Sequence, residues 1–304
     1  MGRRRRGRKV DGMLVLDKPK GISSNEAVQQ AKRLFGAQKV GHTGSLDPLA
    51  TGVLPLCFGE ATKFSQFLLS SDKKYWARIR LGIATDSGDA DGEVIAETDA
   101  SHVTAAMIEE ALGAFRGRIE QVPSMFSALK HNGQPLYKLA RQGIEVERKA
   151  RCVELFSNEL LRFEDGELEL AIHCSKGTYV RTIAEELGAK LGVGGHVTEL
   201  RRTAAGPFSE DDLVQLDELE AQRADGASLD GHLKPIASAV AQWPAVELSE
   251  ATSFYLRRGQ PVQVAHAPTD GWVRLMEADN DQPVFLGVGE ILDDGRVAPR
   301  RLVV

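Results

Sequence analysis

The segment of residues 41–56 constrains the fold of this chain more than any other, because glycine and proline recur through it. Gly44 and Gly52 permit tight turns and close approach of the backbone, and Pro48 fixes the turn that follows Asp47. Such a segment predicts a rigid, exposed loop in which Asp47 is a candidate nucleophile or general base. Taken alone, however, an aspartate before a proline is more often structural, since its carboxylate bonds nearby backbone amides.

The composition narrows the class of protein. The chain has 304 residues, of which 42% are hydrophobic and 27% charged, enough to bury a large core in one or two domains. Cys57, Cys152 and Cys174 are far apart and form no Cys-x-x-Cys pair, so neither a zinc site nor a disulfide framework is expected. The sequence also lacks a P-loop, a Gly-x-Ser-x-Gly elbow and the cysteine pattern of zinc deaminases. We therefore expect neither a cofactor nor a metal.

Charge is distributed unevenly along the chain. The net charge is -5 with a pI of about 5.9, which is not typical of a nucleic-acid binder. Residues 1–9 nevertheless hold six basic side chains and no acid, and we expect them to form a disordered basic tail. No apolar stretch follows this tail and no membrane-spanning run exists elsewhere, so a cytoplasmic protein is expected.

A second basic region lies at residues 130–151, which contain six lysines and arginines but only two acidic residues, Glu145 and Glu147. Most such runs are solvated loops. In an otherwise acidic chain, however, the excess of positive charge favours a surface that contacts phosphates. We expect the region, including Lys130 and Arg141, to project from the sheet as a loop with one short helix.

Hydrophobic periodicity predicts an α+β fold, with a large mixed, mostly antiparallel sheet flanked by helices. Ser23 and Glu26 can form a capping box at the start of the first helix. The other predicted helices cover 104–115, 136–141 and 178–191, and the predicted strands cover 13–16, 53–58, 74–81, 93–97, 153–163 and 167–174.

The chain is expected to divide into a tail at 1–9, a main domain at 10–243 and a C-terminal module at 244–304, with the basic insertion at about 124–152. Beyond the boundary, short strands are predicted at 261–264, 272–276, 283–288 and 300–304, which suggests a small β-barrel-like module. A module of about 60 residues is short for an independent core, so we expect it to pack on the main domain.

Residues 41–52 resemble the aspartate motif of bacterial TruB-type tRNA pseudouridine-55 synthases. Further segments similar to that family follow its order along the chain: Leu16–Ser24, Lys73–Ala77, Ser175–Thr182 and Gly195–Arg202. The similarity is close over residues 10–210. The C-terminal module is similar, by position and strand content, to the family's PUA-like RNA-binding appendage.

The resemblance implies an isomerase that flips uridine 55 out of the T-loop of tRNA and converts it to pseudouridine without a cofactor. It implies that Asp47 is the nucleophile, that Arg181 pairs with it, and that Tyr75 stacks on the uracil and assists loss of the C5 proton. The expected substrate-binding residues are His42, Tyr75, Tyr179, Leu200, Lys18, Lys130 and Arg141. The expected partner is the T-arm stem-loop of tRNA, bound by a monomer without an obligate protein partner. Attack at C1', attack at C6 and elimination from the ribose all stay open.

The proposed role of Arg181 follows from the cost of burying Asp47. Docked RNA would expel water, and burial can raise a carboxyl pKa by up to about 3–5 units, whereas a paired arginine lowers it by about 1–3 units. Arg181 is therefore expected to keep Asp47 ionised once the base is seated. Each residue also has an ordinary explanation: Arg181 as a surface arginine on a helix whose Val180 and Ile183 face the core, Tyr75 as a core tyrosine, and His42 as a loop hydrogen-bonder.

Two other functions compete with this interpretation. The first is a non-catalytic RNA-binding or tRNA-folding factor, against which the intact set of Asp47, Tyr75 and Arg181 argues. The second is a guide-RNA-dependent synthase of the same superfamily. A basic region at 130–151 suits an enzyme that grips RNA itself, and activity on a bare stem-loop would discriminate between the two.

Overall fold

The computed structural model of the chain describes residues 7–278 and 283–303. Most of the arginines expected in the basic tail lie outside these residues. Arg8, at the end of that tail, is bonded to the body of the protein: its Nε donates to the Phe35 carbonyl at 2.8 Å, and its guanidinium pairs with Asp230.

Strands and helices are interspersed along the described residues, and several strands follow one another directly. The strands are β1 (Gly12–Lys18), β2 (Val40–His42), β3 (Thr51–Phe58), β4 (Lys73–Leu81), β5 (Ile83–Thr85), β6 (Val94–Glu97), β7 (Gly117–Gln121), β8 (Lys130–His131), β9 (Gln134–Pro135), β10 (Arg151–Glu164), β11 (Glu167–Cys174), β12 (Gly195–Ala205), β13 (Phe208–Ser209), β14 (Val214–Gln215), β15 (Ala245–Leu248), β16 (Trp272–Glu277), β17 (Val284–Ile291) and β18 (Val297–Leu302). The α-helices are α1 (Ser24–Leu34), α2 (Ser65–Leu69), α3 (Ala105–Gly113), α4 (Leu136–Ala140), α5 (Val180–Lys190), α6 (Leu216–Ala224) and α7 (Glu250–Arg257).

One large sheet runs through the main domain in the order β14-β1-β3-β12-β4-β11-β10-β7, with β2 added to β3 and β13 to β12. The pairs β1–β14 and β3–β12 are parallel, and the other pairs are antiparallel. The predicted mixed, mostly antiparallel sheet flanked by helices is therefore confirmed. Of the candidate site residues, its central strands carry Tyr75 on β4 and Leu200 on β12.

Both faces of the sheet are buried near β1. Successive side chains of this strand point to opposite faces, and each set packs in a different core. Leu14 and Leu16 belong to the main hydrophobic core, together with residues of α1 and α5. Met13 and Val15 belong to a second core on the other face. The face covered by α1 and α5 is the one that holds the candidate site.

Helix α1 begins where the sequence predicts. The Ser23 hydroxyl accepts a hydrogen bond from the Glu26 N–H at 3.2 Å, and a Glu26 carboxylate oxygen accepts one from the Ser23 N–H at 2.7 Å. This reciprocal pair is a capping box, which satisfies two otherwise orphan donors at the helix start. The prediction at this terminus is confirmed.

The C-terminal module is a four-stranded sheet in the order β15-β16-β17-β18, with α7 packed against it. It joins the main domain through aromatic rings: Phe67 of α2 lies 4.8 Å from Trp243 and 5.1 Å from Trp272, centroid to centroid, and Phe64 lies 5.6 Å from Phe285. The expectation that this module packs on the main domain is confirmed.

Several elements differ from the prediction. The segment 261–264 is not a strand and makes only a single bridge, from Val262 to Val297. Strands β7 and β12 were not predicted, because their charged and polar positions hide the alternation that marks a half-buried strand. Within the described part of the chain, no helix is both long and apolar enough to cross a membrane.

Candidate active site

The Asp47 loop, residues 43–50, connects β2 to β3 and is fastened to the start of α1. The Ser24 hydroxyl donates to the Leu46 carbonyl at 3.0 Å and accepts from the Leu46 N–H at 2.7 Å. The Ala50 N–H closes a turn by donating to the Asp47 carbonyl at 3.0 Å. The backbone is thereby preorganised, and it presents a side chain that is still 37% exposed.

Two buried cations lie beneath the Asp47 loop and bind its backbone. Lys18, which has no exposed surface, donates from Nζ to the carbonyls of Ile22 at 2.7 Å and Pro48 at 3.3 Å. Arg202, 1% exposed, donates from Nη2 to the Gly44 carbonyl at 3.2 Å. The carbonyl acceptors carry no formal charge and so do not neutralise the two cations. Lys18 and Arg202 therefore place net positive charge under the loop. Burial lowers the pKa of Lys18 to about 8.

The guanidinium of Arg181 joins three separate segments of the chain. Its Nε donates to Oδ2 of Asp47 at 2.9 Å, its Nη1 to the Ser87 carbonyl at 2.7 Å, and its Nη2 to the Phe126 carbonyl at 2.9 Å. The structure thus brings Arg181 to Asp47, as the resemblance implies. The alternative of a surface arginine is wrong, because the side chain is only 3% exposed and points inward from the first turn of α5.

A second carboxylate, Asp89, contacts the same guanidinium, and the sequence analysis did not single it out. Its Oδ2 lies 3.5 Å from Nε of Arg181, and its Oδ1 accepts a bond from the Ser87 hydroxyl at 2.6 Å. Asp89 lies in a segment rich in Asp, Ser and Gly, a composition typical of turns. Such a segment carries no signal that separates a capping aspartate from one that pairs with an arginine.

The ionisation of Asp47 reflects opposing effects. Burial raises the pKa of the Asp47 carboxyl, the Arg181 charge and hydrogen bond lower it, and the Asp89 carboxylate raises it again. The net direction is upward from the ordinary value of an aspartate. Arg181 therefore offsets part of the cost of burying this carboxylate, and Asp89 takes some of that benefit away.

Two half-buried tyrosines complete the neighbourhood of Asp47. Tyr75 projects from β4, and Tyr179 precedes α5. Burial raises the pKa of both phenols, and the Asp47 charge adds to each rise, so both rings lie within its field. Gln121 fixes the backbone of Tyr179: its Oε1 accepts from the Tyr179 N–H at 3.0 Å and its Nε2 donates to the Tyr179 carbonyl at 3.2 Å. Gln121 was not singled out from the sequence.

His42 and Leu200 flank this group. His42 is half-buried at the end of β2, where its Nδ1 accepts a hydrogen bond from the Gly44 N–H at 3.3 Å. Burial, with a smaller effect of the Arg202 charge, lowers the pKa of His42, so the imidazole is held neutral. Leu200 is 8% exposed on β12, opposite Ala77 of β4. Leu200 belongs to the main hydrophobic core.

Three residues that were predicted to bind substrate form no ion pair with Asp47 in the described structure. Lys18 is completely buried and its ammonium is bound to carbonyls, so it supports the loop from beneath, and its charge lowers the pKa of the Asp47 carboxyl; its contact with substrate stays a prediction. Lys130 and Arg141 are exposed on the basic insertion, which has its own small core around Leu136 and Leu139.

The arrangement suits chemistry that uses a carboxylate. A partly exposed aspartate is paired with a buried arginine, and two tyrosines lie within the field of its carboxylate. Within residues 7–278 and 283–303, no group of three or more His, Cys, Asp or Glu side chains could hold a metal ion.

Comparison with known proteins places the whole chain among related sequences. Residues 32–180 match the family described as TruB family pseudouridylate synthase (N terminal domain). Residues 181–241 match tRNA pseudouridylate synthase B C-terminal domain, and residues 244–303 match Pseudouridine synthase II TruB, C-terminal.

Curated relatives extend over nearly the full length. A tRNA pseudouridine synthase B of Coxiella burnetii (strain Dugway 5J108-111) is 54% identical over 298 residues, which is 97% of this chain and 96% of that protein. One from Yersinia enterocolitica serotype O:8 is 53% identical over 313 residues, covering 100% and 94%.

Solved structures share the fold. A crystal structure of a Cbf5-Nop10-Gar1 complex matches with a TM-score of 0.70 and 25% identity, over 96% of this chain and 83% of that chain. An H/ACA RNP bound to a substrate RNA containing 2'-deoxyuridine matches with a TM-score of 0.72 and 22% identity, over 100% and 92%.

Proposed function

This chain belongs to the TruB family of pseudouridine synthases, and from that premise we propose that it converts uridine 55 in the T-loop of tRNA to pseudouridine. Its relatives at 53–54% identity carry the name tRNA pseudouridine synthase B, which supports tRNA as the substrate. The single observation that carries the catalytic part of the proposal is the 2.9 Å pair between a partly exposed Asp47 and a buried Arg181.

The reaction asks for few chemical groups. The C1'–N1 bond of uridine breaks, the base turns, C1' joins C5, and the proton at C5 is lost, without redox change or a group donor. In the proposed mechanism the target nucleotide is flipped out of the loop at a cost of a few kcal/mol, and Asp47 acts as the nucleophile. This scheme suits a site built from one carboxylate, its arginine and two tyrosines.

Each neighbour of Asp47 has a role in this proposal. Docked RNA excludes water and raises the carboxyl pKa further, and Arg181 opposes that rise, so that the carboxylate stays charged under the base. Tyr75 stacks on the flipped uracil and assists loss of the C5 proton, and Tyr179 and Leu200 hold the other side of the base. His42, neutral and half-buried, props the space that the base vacates.

We assign binding of the RNA phosphates to surfaces outside the site. The basic insertion projects Lys130 and Arg141 into solvent, where each can neutralise a phosphate. The Phe126 carbonyl, at the base of this insertion, accepts a hydrogen bond from Arg181. This bond connects the proposed RNA-binding insertion to the proposed catalytic centre. The C-terminal module is the second proposed RNA-binding part of the chain.

The proposal is tested with the purified full-length chain and a bare T-arm stem-loop transcript whose uridines carry tritium at C5. Formation of pseudouridine releases that tritium, so release of about one equivalent per transcript is expected, without any guide RNA. Mapping of the product should place pseudouridine at position 55.

A transcript with cytidine at position 55 is the matched control and should release none. Conversion of another uridine would overturn the assignment to position 55. If the chain needed a guide RNA, the stand-alone mechanism would be wrong. A chain that folds tRNA without ever releasing tritium would favour the non-catalytic function instead.

A further inference from the structure

Arg202 is the largest fully buried side chain among the described residues, at 1% exposed. Its Nε donates to the Val53 carbonyl at 2.6 Å, and its Nη2 donates to the Gly44 carbonyl at 3.2 Å. Within the described part of the chain, no carboxylate lies close enough to form an ion pair with it. An interior cation bound only to neutral groups is costly, and an apolar side chain of similar volume could fill the same space more cheaply.

The position of Arg202 links the two halves of the site. In the pairing of β12 with β4, Arg202 lies directly opposite Tyr75, and in the pairing of β12 with β3 it lies opposite Gly52. Opposite residues of an antiparallel pair point to the same face, so the guanidinium and the phenol share the side that holds Asp47.

Close backbone packing keeps the guanidinium at this place. A Cβ added at Gly52 would lie 2.3 Å from the Arg202 carbonyl oxygen, so only glycine lets β12 approach β3 this closely. A Cβ added at Gly44 would lie 3.6 Å from Nη1 of Arg202. The rigid, planar fork of an arginine can therefore bind the Asp47 loop with one edge while it faces Tyr75 with another.

We infer that Arg202 is a positioning residue for the reaction, which holds the Tyr75 phenol and the Asp47 loop in a fixed relation from beneath the site. Burial raises the pKa of the Tyr75 phenol, and the nearby Arg202 charge opposes that rise. Arg202 thus both orients the phenol and favours its phenolate form. The inference rests on the proposed function, because it assigns Arg202 to the reaction at Asp47.

A double-mutant cycle tests whether Arg202 acts through the hydroxyl of Tyr75. Single-turnover rates on the T-arm stem-loop are measured for wild type, Arg202→Met, Tyr75→Phe and the double variant. We expect Arg202→Met to slow wild type by about tenfold or more, with binding of the stem-loop changed less than about twofold. In the Tyr75→Phe background the same change should cost less than about threefold, since residues in contact are coupled.

Equal losses in the two backgrounds would show that Arg202 acts independently of the phenol and would overturn the inference. Arg201→Met is the matched control: Arg201 is the next residue of β12, but its guanidinium bonds Asp17 and Glu210 instead of groups of the site. Its rate should stay within about twofold of wild type.

A second measurement does not depend on activity. In protein labelled with ¹³C at Cζ of tyrosine, the Tyr75 resonance, identified by its loss in Tyr75→Phe, is titrated against pH. Because a nearby positive charge lowers a phenol pKa, Arg202→Met should move this titration to higher pH. An unchanged titration would overturn the inference even if the chain proved inactive on the stem-loop. Inactivity on the stem-loop would instead count against the proposed function.

Arg202→Lys serves if Arg202→Met does not fold, as judged by thermal unfolding. Lysine keeps the charge but lacks the planar fork. The Tyr75 titration should then move little, while the single-turnover rate falls by an amount between wild type and the Arg202→Met value. A rate equal to wild type would show that the geometry of the fork does not matter.

Discussion

The Asp47 loop and the basic insertion are both irregular segments attached to one sheet, yet they are built in opposite ways. The loop is bonded to α1 through Ser24 and to the interior through Lys18 and Arg202. The insertion packs on itself around Leu136 and Leu139 and exposes its cations. Under the proposed function, the contrast teaches that interior bonding fixes the geometry of the proposed nucleophile, whereas exposed charge supplies affinity for RNA. Substitutions in the Asp47 loop should therefore lower the reaction rate, whereas substitutions in the basic insertion should lower the affinity for RNA.

Asp47→Asn should have the largest effect, because it removes the proposed nucleophile and leaves the insertion untouched. We expect the single-turnover rate on the T-arm stem-loop to fall by at least about a thousandfold, with the Kd for tRNA within about threefold of wild type. Tritium release and filter binding measure the two quantities. Full activity in Asp47→Asn would remove the basis for the proposed mechanism.

Arg181→Met and Asp89→Asn should shift the pH dependence of the rate in opposite directions. In the proposed mechanism the reactive form of Asp47 is the carboxylate, so activity should be lost as pH falls through its pKa. Loss of the Arg181 charge raises that pKa and moves the acidic limb to higher pH, and the rate at neutral pH should fall by on the order of a hundredfold.

Asp89→Asn removes a like charge, so the acidic limb should move to lower pH, with a smaller change in rate at neutral pH. Rate–pH profiles of the three proteins give the comparison. Shifts in the same direction would mean that Asp89 does not act on Asp47 through charge. Because the Arg181 side chain is buried, thermal unfolding of Arg181→Met must accompany the kinetics.

Lys18→Met tests the interior side of the comparison through stability. The folded-state pKa of Lys18 is about 8, below its unfolded value of about 10.4, so between these values the unfolded chain binds more protons than the folded one. Stability therefore rises with pH across this window. From about pH 7.5 to pH 10, the free energy of unfolding should rise more in wild type than in Lys18→Met, by on the order of 2 kcal/mol. Urea unfolding measures both, and parallel pH profiles would contradict the prediction.

Lys130→Ala and Arg141→Ala should have the smallest effect on the reaction and act on affinity alone. Each should lower the slope of log affinity against log salt by about 0.7–0.9 and raise the Kd a few-fold, with the single-turnover rate at saturation unchanged. Lys190→Ala, which removes an exposed lysine at the far end of α5, is the control and should leave the slope unchanged. A lower single-turnover rate at saturating RNA in Lys130→Ala would show that RNA binding by the insertion and the catalytic step are not separate.

Local patterns predicted the parts of the fold that local physics determines. The capping box of α1 and the alternation of β4 follow from the residues themselves, and the structure contains both. The partners of the site do not follow from such patterns. Asp89 looks like any turn aspartate, and Arg202 looks like any charged residue near the end of a strand. Only the pairing of β12 with β3 and β4 brings Arg202 to Gly44 and Tyr75.

Burial is the other property that the sequence conceals. Lys18 and Arg181 belong to residue types that normally lie at the surface, and helix periodicity placed Arg181 off the core face. Both are buried because backbone carbonyls and carboxylates, distant in sequence, accept their hydrogen bonds. The motif resemblance brought Asp47, Tyr75 and Arg181 to attention, but it did not reveal that Lys18 supports the loop from within.

The bonds of Arg181 also bear on when, during folding, activity can appear. One guanidinium holds groups from three segments, and Asp47 precedes Arg181 by 134 residues in the chain. A contact this distant closes only after the intervening strands have found their places, since long loops are entropically costly to close. A chain emerging from the ribosome would therefore carry an inert aspartate until most of the main domain had been synthesised. Neither half of the domain, expressed alone, could modify RNA.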